Sequence, residues 1–269
     1  GWTVDSAGRR RWGRYGAAGL LLRAPGASGP LVLLQHRAQW SHHGGTWGLP
    51  GGARDSDESA VSTAVREAGE EAGVRGDDVA VRAERVTTPG DSWSYTTVVA
   101  DAAAPLALQA NAESAELRWV AEDEVVTLPL HPSFAQSWPL LRARPLILLL
   151  DTANVLGSRP DGWWRDRAGA SRALLAQVVS ALPRTAGTDN GFVWLHGVEA
   201  VIEGAARDVT VDGVVAHRAP GSGDDELVRV VGPQHLVVTA DRGLRARLPA
   251  GIPVCGPGWV RAWLPDAEP

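Results

Sequence analysis

In GLPGGARDSDESAVSTAVREAGEEAGV, Gly48 to Val74, three carboxylates, Glu67, Glu70 and Glu71, crowd the second half of a small, apolar pattern. Ala60, Val61, Ala64, Val65, Ala68 and Ala72 recur at the three- and four-residue spacing of one buried helical stripe. At roughly 100° per residue the glutamates fall within about 100° of each other and away from that stripe, so the spacing predicts one shared acidic face. Like charges so placed repel by a few tenths of a kcal/mol per pair, and Arg66 and Arg75 are too few to neutralise all three. A divalent cation completes such a set. Mg²⁺ takes hard oxygen ligands, keeps several waters and is commonly shared between protein carboxylates and substrate phosphates. Ahead of the helix, Gly44, Gly45, Gly48, Gly51 and Gly52 permit tight turns and close approach to a ligand, while Pro50 stiffens the loop.

Gly52, Glu58 and the run Arg66-Glu67-Ala68-Gly69-Glu70-Glu71-Ala72-Gly73-Val74 together resemble the signature of the Nudix hydrolases. Ala68 departs from the bulkier aliphatic usual at that position. The resemblance implies an α/β/α sandwich with a mixed sheet over residues 12–142, and Mg²⁺ or Mn²⁺ held by Glu67, Glu70, Glu71 and Gly52. It further implies a Glu58–Arg66 pair that fixes the loop against the helix, and water attacking a diphosphate linkage. Glu113 and Glu116 precede LRWV, where several family members present an auxiliary acid that orients water; either is a candidate general base. The expected substrate is a nucleoside triphosphate or another nucleoside diphosphate derivative, cleaved to a monophosphate. Candidate substrate contacts are Gly51, Gly52, Arg37 and Trp47. Trp47 is placed to stack on a base or to pack as an anchor. His42 and His43 are near enough to reach a phosphate, and equally suited to be plain loop residues.

The elements that must position these groups are short. AAGLLLRA, PLVLLQHR, VAVRAERV, SYTTVVADA and AELRWVAEDEV read as strands, and with the glutamate helix they give the alternation of a layered α/β fold. A second module restarts at PLILLLDTANV, where an apolar strand ends in Asp151 with Asn154 just beyond it. Open α/β sheets bind ligands at that end of their strands. Asp224 and Asp225 open a helix in GSGDDELVRVV, and another apolar strand, QHLVVTADRGL, ends at Asp241. This order resembles the NYN domains of the PIN-like nucleases over residues 145–264, which implies a Rossmann-like fold with a mainly parallel sheet. In that reading Asp151, Asp224, Asp225 and Asp241, with Asn154 assisting, hold one or two Mg²⁺ or Mn²⁺ ions, and single-stranded RNA is the candidate partner. Glu199 and Glu203 are candidates for a fourth acid, and Trp163 and Trp164 for stacking on bases. The same aspartates also suit a domain in which they only cap helices.

Composition limits the remaining classes. The formal charge is −5, all basic residues are arginine, and acids outnumber arginines on both sides of Arg144, which disfavours strong non-specific nucleic-acid binding. The basic cluster RRRWGR, from Arg9 to Arg14, reads as solvated charge beside the first strand. No hydrophobic run has the length of a membrane span, no secretory leader is visible, and the single cysteine, Cys255, suits a reducing cytoplasm. Two other readings compete with a nucleotide hydrolase: an RNA-processing nuclease with an accessory Nudix domain, and a nucleotide-sensing binding protein. Sensors of that second kind usually lose catalytic glutamates, and here all are present.

Overall fold

The computed structural model describes residues 1–4, 8, 10–88, 93–160 and 162–265; Arg9 of the basic cluster lies outside them. The chain divides into two units, Gly1–Ala143 with Thr185–Val193, and Arg144–Arg184 with Trp194–Pro269. The first begins with an antiparallel pair, β1 (Trp2–Val4) and β2 (Arg10–Trp12), in register Trp2 to Trp12. Then come β3 (Ala17–Gly26), β4 (Gly29–Arg37), β5 (Trp47–Gly48), β6 (Gly51–Ala53), α1 (Ala60–Ala72), β7 (Ala80–Thr88), β8 (Tyr95–Asp101), β9 (Ser114–Ala121) and α2 (Pro132–Leu141). The sheet order is β5-β4-β3-β8-β7, with β6 also on β3 and β9 also on β4. It is mixed: β3 and β8 run parallel, whereas β4, β6 and β9 pair antiparallel to their neighbours.

Local chemistry sets the bounds of α1. Ser59 Oγ accepts from the Ser62 amide at 3.0 Å, an N-cap, and Gly73 ends the helix at φ +72, where a left-handed residue lets its amide reach the Gly69 carbonyl. Between the caps, Ala60, Ala64, Ala68 and Ala72 are buried against Ala18, Leu20 and Leu22 of β3 and Val98 and Ala100 of β8. Methyl side chains leave little to separate helix and sheet. At the far edge of the unit, Arg23 is fully buried and donates to both carboxylate oxygens of Glu122 at 2.8 Å and to the Leu141 carbonyl at 2.7 Å. Glu122 also accepts from the Ala143 amide at 2.6 Å. One ion pair thus ties β3 to the segment after β9 and to the end of α2.

The rest of the chain supplies β10 (Ala143–Asp151), α3 (Thr152–Gly157), α4 (Arg167–Ser180), β11 (Arg184–Thr188), β12 (Gly191–Ile202), β13 (Val214–Arg218), α5 (Gly223–Val230), β14 (His235–Val238), α6 (Arg242–Arg247), β15 (Val254–Cys255) and α7 (Pro257–Arg261), of which Ala143, Thr185–Thr188 of β11 and the start of β12 up to Val193 count with the first unit and the remainder with the second. The sheet of these strands runs β11-β12-β10-β14-β15, with β13 also on β12. The pairs β10–β14, β14–β15 and β12–β13 are parallel. Alternating helices and parallel strands bring the ends of β10 and β14, where Asp151 and Asp241 stand, to one edge. Among the described residues no helix is long and apolar enough to cross a membrane.

Because removing one partner strands a buried charge, Glu122→Ala is expected to destabilise the first unit by about 3–5 kcal/mol. Urea unfolding would measure it, and a change below about 1 kcal/mol would show that water reaches Arg23.

Candidate active site

The loop of β6 lies close against its neighbours: a methyl on Gly51 would stand 2.5 Å from the Ala18 carbonyl oxygen and the Gly19 Cα of β3, so glycine is required there, and a methyl on Gly52 would displace the carboxylate of Glu67 on α1, 2.5 Å away. One residue earlier, the Gly51 amide donates to Glu71 Oε2 at 2.8 Å. Arg66 is the hub of the remaining acids. It donates to Glu58 at 2.7 and 2.9 Å, to Glu67 at 2.9 Å, to Glu70 at 3.4 Å and to the Ala53 carbonyl at 3.2 Å.

The three helix glutamates differ in exposure, which the angular reading of the sequence does not address. Glu70 is exposed, Glu67 is mostly covered, and Glu71 is 5% exposed beneath the glycine loop. A helical wheel records angles; the β6 loop folds over one flank of the face and buries it. Environment then separates groups that are chemically alike. The Arg66 guanidinium holds the Glu58 carboxyl down at about 2. Burial pushes Glu67 up, against the opposing effect of Arg66. Burial also lifts Glu71 to about 7, despite hydrogen bonds from Gly51 and Gln35 that favour its ionised form. The charge of Glu113 adds to the rise of both Glu67 and Glu71, which puts that exposed side chain within electrostatic reach. Glu116 is engaged elsewhere, with Arg118 at 3.2 Å on β9.

A cavity of about 410 Å³ opens beside the loop, with Gly51, Gly52, Arg37, His42, His43, His131, Trp2, Arg10 and Trp12 among its lining. Arg10 therefore does more than solvate a strand: it lies 4.8 Å over the Trp2 ring. Trp47 lies outside this wall. It is 4% exposed, stacks on His36 at 4.8 Å and carries the Arg118 guanidinium 4.5 Å from its ring centre. Packing on both partners removes it from base recognition.

In the second unit, Asp151 caps α3 by accepting from the Asn154 amide at 3.1 Å, and its other oxygen accepts from Thr239 at 2.8 Å. Asp241 caps α6 through the Leu244 amide at 2.8 Å, and Asn154 accepts from the Ala240 amide at 2.8 Å. Asp225 pairs with Arg247 at 2.5 Å and is mostly exposed. Asp151 is raised first by burial and then by Asp224 and Glu203; Asp224 is raised first by burial and then by Asp241. Asp151 thus feels Asp224 and Glu203, and Asp224 feels Asp241, Glu203 and Asp225 against the opposing charge of Arg247. Glu199, the other candidate, accepts from His217 at 2.6 Å instead. Trp164 is exposed, and Trp163 carries Arg167 5.3 Å from its ring centre. Among the described residues only His42, His43 and His131 bring three candidate ligand atoms within 4.8 Å of one another, so neither carboxylate group is that tight.

Comparison with known proteins decides the family. A family model described as NUDIX domain matches residues 13–142. "Putative 8-oxo-dGTP diphosphatase 3" of Mycobacterium tuberculosis is 62% identical over 151 residues, spanning 54% of this chain and 70% of that protein. The chain belongs to the Nudix hydrolase family. Members of this family act on phosphoanhydride bonds, and so does this enzyme. A nucleoside triphosphate pyrophosphatase/Nudix hydrolase fusion protein of Bifidobacterium longum is 40% identical over 150 residues, 54% of this chain and 31% of that one. The crystal structure of the Nudix hydrolase RenU of M. smegmatis aligns at 58% identity, covering 51% of this chain and 89% of that one, with a TM-score of 0.49.

For a Nudix hydrolase the donor set fits a divalent cation: hard carboxylate oxygens, two of them on groups that burial has left short of compensating charge. Sequence reasoning had no view of His131, Gln35 or Tyr95, which reach this region from distant strands and from the start of α2. Their only mark in the sequence is polar character within apolar runs.

The position of Glu71 has a consequence for stability. Its folded pKa of about 7 lies above the ordinary 4.5, so its contribution is fully present below about pH 4.5 and is lost as pH rises through about 7. Glu71→Gln is expected to remove that loss, and to be more stable than wild type at pH 8 by on the order of 3 kcal/mol in chelator-treated protein. Urea unfolding of both proteins at pH 4.5 and pH 8 tests it; equal differences at the two values would contradict the burial argument.

Proposed function

We propose that the first unit hydrolyses a purine nucleoside triphosphate to its monophosphate and pyrophosphate, with 8-oxo-dGTP the first substrate to test. One observation carries this reading: a single cavity of about 410 Å³ joins the glycine loop to a wall of Trp2 and Trp12. That is ample for a nucleotide, with Arg37 and the glycine loop to take the phosphates and aromatic rings to take the base. The name of the M. tuberculosis relative supports the choice of base.

In this reading residues 12–142 form the hydrolase, and Glu67, Glu70, Glu71 and the Gly52 carbonyl hold Mg²⁺ or Mn²⁺. The ion, when bound, neutralises phosphate charge and acidifies water. The chain's own groups do the rest. Glu58 fixes Arg66, and Arg66 holds the acids in place. Arg37, whose side chain donates to the His42 carbonyl at 3.1 Å, faces the phosphates from the cavity wall. Glu113 is the better placed general base, because Glu116 is committed to Arg118. The single cysteine suits a cytoplasmic enzyme.

A second reading concerns residues 145–264, for which we propose a metal-dependent ribonuclease-like site built from Asp151, Asp224 and Asp241, with Glu203 joining and Asp225 peripheral. What favours it is charge: beyond the effect of burial, Asp224 and Glu203 raise Asp151, and Asp241, Glu203 and Asp225 raise Asp224 against the opposing effect of Arg247, while Arg245 donates to the Thr239 carbonyl.

For the hydrolase, Glu70→Gln is expected to lower turnover at least 100-fold with the fold intact, because Glu70 is exposed; Glu113→Gln should cost about 10²–10⁴-fold, and Glu116→Gln only a few-fold. In ¹⁸O-water the label should enter the monophosphate or the pyrophosphate, and orthophosphate as sole product would overturn the assignment. For the second unit, wild type should cleave single-stranded RNA with Mn²⁺, whereas Asp151→Asn and Asp241→Asn, which keep the helix caps, should not. Absence of cleavage by wild type would leave this half a binding or structural module.

A further inference from the structure

We propose that His42, His43 and His131 form a binding site for a zinc-class transition-metal ion, distinct from the carboxylates of α1. Nothing in the Nudix motif calls for these rings, yet their ligand atoms lie within 4.8 Å of one another. Ring centres are 4.1 Å apart for His42 and His43, and 4.7 Å for His43 and His131. Two nitrogens on one tetrahedral zinc, at about 2.05 Å each, stand about 3.4 Å apart. The rings must therefore close by about 1.4 Å at most, which rotation of the exposed His42 and His43 side chains supplies.

The backbone that carries the rings is already held. Arg37 Nε donates to the His42 carbonyl at 3.1 Å, Thr46 Oγ1 to the His43 carbonyl at 2.6 Å, and the His131 amide to the Trp47 carbonyl at 2.7 Å. His43 sits at φ +56, a left-handed conformation that costs a side-chain residue free energy and turns its ring toward its neighbours. Imidazole nitrogen suits zinc, nickel, cobalt or copper and is a poor partner for Mg²⁺, so the two sites select different ions. Burial lowers His131 to about 4 and also lowers His42, the direction that favours the neutral imidazole a metal takes.

Two features weaken the site. The Arg37 guanidinium opposes a cation, since it helps to lower both His42 and His131. His131 Nδ1 also accepts from the Ser133 amide at 3.3 Å, a bond that ligation through either ring nitrogen gives up. Open coordination positions face the cavity, where water or a phosphate oxygen can offset the charge of Arg37. The ion is accordingly exchangeable.

The test is Zn²⁺ calorimetry and Co²⁺ absorption on untagged full-length protein, with Mg²⁺ in excess to fill carboxylate sites. Wild type is expected to bind one ion that the His42→Ala/His43→Ala double variant does not, with visible Co²⁺ bands lost in the variant and affinity at least tenfold weaker. His131→Asn should weaken binding similarly, and Glu67→Gln should leave it unchanged. If His131→Asn fails to fold, the exposed pair decides alone. Equal Zn²⁺ affinity in wild type and the double variant, loss of binding only in Glu67→Gln, or metal-free binding of inorganic phosphate that the same histidines control, with no Co²⁺ spectrum, would each overturn the proposal.

Discussion

The closeness of α1 to the β6 loop is the constraint on which the rest of the first unit depends. Alanines along the buried stripe set the helix against β3 and β8 with nothing longer than a methyl between them. At the loop a methyl on Gly52 would push the Glu67 carboxylate out of its place. Only at this distance can the Gly51 amide reach Glu71 and Arg66 reach the Ala53 carbonyl. Ala68, small where the resembled family carries more bulk, belongs to the same economy of volume: it is fully buried in that seam.

Proximity then creates electrostatic inequality. Glu58, Glu67 and Glu71 share one chemistry, yet the first is held at about 2 by a guanidinium and the last is lifted to about 7 by burial. A site built this way offers one acid that is always charged and one that exchanges a proton near neutrality. Arg66 makes the difference, spending its donors on Glu58 first and on Glu67 and Glu70 with what remains.

What the sequence made legible was local. Caps, the alanine stripe and the Gly52–Glu58–Arg66 spacing all act within one loop and one helix, so their order in the chain is nearly their order in space. The burial of Glu71 was not legible, because it is imposed by a loop that folds back, which angular spacing does not encode. Trp47 was ambiguous for a related reason: its partners, His36 and Arg118, come from β4 and β9. His131 carried no more than its polar character within an apolar run, since it meets His42 and His43 only once α2 is in place. In the second half, strands ending in aspartate were readable, but the hydrogen bonds that make Asp151 and Asp241 helix caps are equally compatible with a metal centre and with none.

The bond from the Ala143 amide to Glu122 bears on how the chain can be dissected. Ala143 is the first residue of β10, yet its amide donates to the buried carboxylate that pairs with Arg23. A fragment ended at Arg142 would carry a free carboxylate terminus next to that pair and would lack one of its donors. The last amide of the hydrolase core is thus also the first of the following strand, and a clean excision has to retain it.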